Sequence, residues 1–122
     1  MNVNIAQLFT PHLATPGKVL YRHHTEAGWR DVTAGEVGGE IARWQSALRS
    51  AGLAPGERVA VCVRNGVTWV ALDLAALALG LVVVPLYVDD NPDNIAWCAG
   101  HAQARQRAGG LSGARLHNVL AR

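Results

Sequence analysis

A chain of 122 residues has room for one domain, or for a piece of a larger one. Half of its residues are hydrophobic, which excludes a disordered polymer, and a formal net charge of +2 excludes a uniformly basic nucleic-acid binder. The charge is uneven, since residues 1–100 carry all nine acids against seven bases whereas residues 101–122 carry four arginines and no acid. The first residues, Met1-Asn2-Val3-Asn4, lack the basic region and apolar core of a secretory leader. Cys62 and Cys98 form no CxxC pair and no metal-type spacing, so a reducing cytoplasm is the expected location.

Asn4 can cap a short helix with Ile5, Leu8 and Phe9 on one face, closed or bent by Pro11. Lys18 to His23 alternates loosely as a strand, His24 to Gly28 reads as a hairpin turn, and Trp29 to Val32 as the returning strand. The pair His23-His24 cannot chelate one ion, because neighbours on a strand point to opposite faces. Thr33-Ala34-Gly35-Glu36 is a capping box that opens a helix over 34–51, with Val37, Ile41, Trp44 and Leu48 along one face. Gly35, Gly38 and Gly39 do not follow the GxGxxG order of a phosphate loop, and close helix packing is their expected role.

Gly52 stands where a helix end wants a left-handed residue, and Pro55-Gly56 turns the chain. Residues 58–63 then read as a strand covered on both faces, 67–79 as a helix apolar nearly all round, and 81–84 as a second strand stopped by Pro85. Two strands joined through a helix form a βαβ unit and are expected to be parallel. The stretch from Val67 to Val88 approaches a membrane-spanning length. Asp73, Gly80 and Pro85 interrupt it, so no transmembrane span is expected. Asp89-Asp90-Asn91-Pro92-Asp93 lacks the spacing of a calcium loop. It reads as a helix start, with Asn91 as cap, Pro92 in the first position and Asp93 facing the positive helix end, and the helix runs to about His101.

Several of these features, in this order, resemble the early part of the AMP-forming acyl-CoA synthetases, the adenylate-forming fatty acid–CoA ligases. They are Trp29, Thr33, Glu36, Gly52-Leu53, Gly56-Glu57-Arg58-Val59-Ala60-Val61, Asn65, Gly80, Val84-Pro85-Leu86-Tyr87 and Asn91-Pro92. The resemblance covers roughly Asn4 to Arg105 and contains none of the family's chemistry. It implies an α/β fold, the incomplete N-terminal portion of the family's large domain. For the full-length family it implies fatty acid, ATP and CoA as substrates, with Mg²⁺.

Beyond Arg105 the family continues into an apolar strand, whereas Gln106 to Arg122 is rich in Arg, Ala and Gly and shows no strand pattern. The expected division is therefore 1–105 as a partial subdomain and 106–122 as a divergent, disordered tail, as a frameshift or premature end in GC-rich coding DNA would leave it, the alternative being a short basic helix from Ala114 to Ala121 that packs or binds a partner. The family's Ser/Thr/Gly-rich triphosphate loop, magnesium carboxylate and catalytic lysine have no counterpart here, and Lys18 is in the wrong place to supply the last. No catalytic, cofactor-binding or metal-binding residue is nominated. Two expectations follow: a ligase fragment, inactive alone and prone to self-association, or a small non-catalytic α/β module that binds a partner.

Overall fold

The computed structural model describes residues 4–109 and 115–118. Two short 3-10 turns, Ile5–Leu8 and Thr10–Ala14, lead into β1 (Val19–Thr25) and β2 (Gly28–Thr33). Then come α1 (Ala34–Ser50), β3 (Arg58–Val61), α2 (Val67–Ala78), β4 (Val82–Pro85), α3 (Pro92–His101), β5 (Ala104–Gly109) and β6 (Arg115–Asn118). β1 and β2 form an antiparallel hairpin, and the other four strands form one sheet in the order β4-β3-β5-β6.

The expected βαβ unit is present. β3 runs parallel to β4, from Arg58 opposite Val82 to Val61 opposite Pro85. Residues 59 and 61 of β3 point to one face, where Val59 and Val61 join Leu48 of α1 and Leu72, Ala75 and Ala76 of α2 in the main core. Ala60 points to the other face and packs with Ala99 of α3 and Ala104. Helices therefore cover both faces of a parallel ribbon, which is why β3 is apolar without alternation. The hairpin and the first turns close the α1 and α2 side through a smaller cluster of Phe9, Val32 and Val37.

The local signals worked as read. The Thr33 hydroxyl accepts from the Glu36 amide at 3.3 Å, and the Glu36 carboxylate accepts from the Thr33 amide at 3.1 Å. Gly52 has φ +76°, the left-handed conformation required just past α1. Gly38 packs so closely that an added Cβ would lie 2.8 Å from Leu13 Cδ2, and one at Gly35 would lie 3.2 Å from the Pro16 carbonyl. Close packing explains these two glycines.

Several expectations need correction. The hairpin turn is tighter than 24–28, because β1 reaches Thr25 and β2 starts at Gly28. The first helix is a 3-10 turn with Asn4 capping Gln7, and Ile5 and Leu8 are exposed while Phe9 is buried. Pro85 belongs to β4 rather than ending it, which an edge strand permits. The largest correction concerns residues beyond Arg105. Residues 104–109 form β5, parallel to β3 with Val61 opposite Ala108, and 115–118 form β6, antiparallel to β5. The expected boundary between Arg105 and Gln106 falls inside a strand. Small side chains at 104 and 108, both fully buried, let β5 lie against β3 without the β-branched residues that mark a strand in sequence. Residues 110–114 and 119–122 of the expected tail lie outside the described residues.

Candidate strand-end crevice

The chain leaves β3 for α2 on the Val59 and Val61 face, and leaves β4 for α3 on the Ala60 face. Two adjacent parallel strands whose connections depart to opposite faces leave a crevice between their carboxyl ends, the usual ligand position in open α/β sheets. Here that crevice has a volume of about 890 Å³ and lies between the Val63-Arg64-Asn65 turn and the segment Pro85 to Asp90, with Trp69 at its side. A neighbouring cavity of about 680 Å³ shares Arg64 and Asn65 and extends to Arg30, Glu40, Arg43 and Thr68.

Most charges around this mouth are already engaged. The Arg64 guanidinium donates to both Asp89 carboxylate oxygens, at 2.8 and 3.4 Å, and the pair is about three-quarters exposed. Arg30 Nη1 lies 3.7 Å from Glu36 Oε2. The Thr68 hydroxyl donates to Glu40 at 2.8 Å, pinning the first turn of α2 to α1. Asp90 accepts from the Asn91 amide at 2.8 Å and the Asn94 side chain at 3.1 Å, while Asn91 caps α3 by accepting from the Asn94 amide at 2.8 Å. The acidic cluster therefore builds the start of α3, as its sequence suggested.

The described residues lining the two cavities do not fit a magnesium triphosphate. Among the described residues, no group of three or more His, Cys, Asp or Glu side chains converges on one point. The only glycine of the β3–α2 turn, Gly66, has φ 163°, which is extended backbone rather than a phosphate cradle. Lys18, the only lysine, sits exposed before β1 and lines neither cavity. Cys62 is buried with its sulfur 3.8 Å from the Tyr87 carbonyl, in the role of a small core residue. His23 and His24 are both exposed, and the His24 ring packs edge-on to Trp29 with centroids 5.0 Å apart. The described residues lining the crevice include no nucleophile beside a base.

The crevice itself was missed in the sequence. Its signal was available: Arg64-Asn65 and Asp89-Asp90 are the polar pairs that follow the two predicted parallel strands.

The profile of the AMP-binding enzyme family matches residues 12–106. The chain is 30% identical over 99 residues to the long-chain-fatty-acid–CoA ligase FadD15 of Mycobacterium bovis and of Mycobacterium tuberculosis. That alignment takes in 81% of this chain but only 16% of either relative. Among solved structures, a benzoate CoA ligase from Burkholderia xenovorans superposes with a TM-score of 0.73 at 29% identity, over 87% of this chain and 21% of that one. ATP-bound MatB from Rhodopseudomonas palustris gives 0.71 at 26% identity, over 86% and 20%.

Proposed function

Because the chain belongs to the AMP-binding enzyme family, we propose that it corresponds to the opening α/β unit of a fatty acid–CoA ligase and does not activate a carboxylate by itself. The parent reaction joins fatty acid and CoA with conversion of ATP to AMP and diphosphate. The observation that carries this reading is the 30% identity to FadD15 over 81% of the chain. Long-chain fatty acids, ATP and CoA are accordingly the substrates of the whole enzyme. What this unit supplies is a packed βαβ core and a strand-end crevice facing the remainder of the domain. The absence of a triphosphate grip among the described residues supports inactivity of the unit alone.

The same reading makes the isolated chain self-associate. Val82 on the edge strand β4 is 46% exposed and Trp97 on α3 is 65% exposed, surfaces that a larger domain would cover. No helix among the described residues is long and apolar enough to cross a membrane, and the unpaired cysteines suit the cytoplasm. A small non-catalytic binding module is the second reading, favoured only by the crevice. Adjacent coding DNA decides between the two, since a downstream glycine-rich phosphate loop, in phase or shifted, belongs to the ligase reading alone.

The biochemical test is a pyrophosphate-release assay on the purified chain with fatty acids of several lengths, run beside sedimentation. No release is expected. Fatty-acid-dependent release by a well-behaved monomer would overturn the proposal.

A further inference from the structure

Away from the strand ends, a separate groove of about 430 Å³ lies between α2, β1 and the two 3-10 turns. Its walls are apolar or aromatic, chiefly Leu8, Phe9, Tyr21, Trp69 and Leu74. Its one acidic group is Asp73, and His12 stands at its side. Asp73 is the one charged residue of α2, and it makes no hydrogen bond or ion pair among the described residues. Burial alone, with no compensating charge, raises its pKa above the ordinary carboxylate value. A partly desolvated carboxylate without a partner is costly, so a surface acid of purely structural use would sit better elsewhere on this helix.

The charge and the walls complement a single chemistry. A carboxylate attracts a cation, aromatic faces attract one as well, and the apolar remainder accepts a hydrocarbon body. We infer that this groove binds a small monocation with an apolar body, a protonated primary amine bearing an aryl or short alkyl group. The ammonium sits against Asp73, and the hydrocarbon lies along Leu8, Trp69 and Leu74. Trp69 borders both this groove and the strand-end crevice, whereas Asp73 lines the groove and not the crevice, so dependence on Asp73 assigns the binding to the groove, and the test involves no adenylation.

Phenethylammonium chloride is the probe, compared with phenethyl alcohol and phenylacetate, which share its body but not its charge. Binding is followed at the Trp69 indole N–H resonance, assigned with W69F. The amine is expected to bind about ten-fold more tightly than the alcohol, with phenylacetate weakest. D73N should erase the preference while leaving the fold intact by circular dichroism. Should D73N fail to fold, L8K serves instead, since Leu8 is 61% exposed and a lysine there supplies a tethered ammonium that excludes the probe. Equal binding of amine and alcohol, no saturable shift at Trp69, or an amine preference that survives D73N or L8K each overturns the inference.

Discussion

One nitrogen of Arg105, Nη1, donates to both carboxylate oxygens of Glu57, at 2.9 and 2.8 Å. It also reaches the Gly52 carbonyl at 3.2 Å, so the second residue of β5 is tied to the loop that precedes β3. Glu57 further accepts from the Ala54 amide at 2.6 Å, closing its own turn. The Ala54 amide first, and Arg105 next, hold the Glu57 carboxyl below its ordinary value of 4.5. A lowered folded pKa gives stability that is complete above 4.5 and is lost as pH falls through the folded value. R105A is therefore expected to lower the melting temperature at neutral pH and to soften the decline below pH 4.5. E57Q should act in the same direction, and the double variant should lose less than the sum. Additive losses would show that the two groups do not interact.

Leu72 is fully buried in the main core, and L72A is expected to cost about 2–5 kcal/mol in denaturant unfolding. Trp69 packs against the same core but is only half-buried, so W69A should cost less than the 3–5 kcal/mol typical of a core aromatic. A reversed order would place the weight of α2 packing on the groove side.

The capping box at the start of α1 is well formed, and T33A is expected to cost about 1 kcal/mol. T33S, which keeps the hydroxyl, should recover most of it. Equal loss in both variants would point to the methyl group, not the cap.

Pro85 faces outward from the sheet. The Val82 amide donates to Glu57 and the Leu86 amide to Val61, so alternate residues of β4 address β3 and Pro85 falls in the other set. It removes a donor from the open edge, a known protection against strand addition. P85V should shift sedimentation profiles toward larger species. An unchanged profile would exclude the β4 edge as the route of association.

The Cys62 amide donates to the Ala108 carbonyl at 2.8 Å, and β5 is flanked by β3 and β6. Amides of Arg107 and Ala108 are therefore expected to exchange slowly. Removing residues 106–122 should abolish cooperative unfolding, because β3 then loses one of its two partners. Fast exchange at 107 and 108 with normal unfolding of the shortened chain would restore the boundary at Arg105.

The elements with strong local chemistry were legible: the capping box, the Gly52 helix end, the Asn91-Pro92 start and the apolar run of β3 and α2. β5 was not, because Ala-Arg-Gln-Arg-Ala-Gly has no β-branched residue and no period-2 apolar pattern. Its strand character comes from lying beside β3, which is tertiary context. The end of α3 falls at His101, where the sequence placed it, but the device that ends it was not legible. Gln103 takes the left-handed position at φ 57° where a glycine would have announced a stop, and its side chain accepts from Arg58 at 2.9 Å. The crevice was partly legible as polar pairs after strands, but its position depends on which face each helix covers. The groove at Asp73 was legible only as a charge inside an apolar helix.

The strand order β4-β3-β5 has a consequence for assembly during synthesis. β3 emerges first and finds β4 through the local α2 crossover, a contact of short sequence separation. Its other flank stays bare until β5 arrives after a further helix, and that closure spans more chain and is slower. On the ribosome the nascent sheet is thus one-sided while α3 and β5 are made, at about 5–20 residues per second. During that interval β3 as well as the outer edge of β4 offers unpaired backbone to a chaperone or a neighbouring chain.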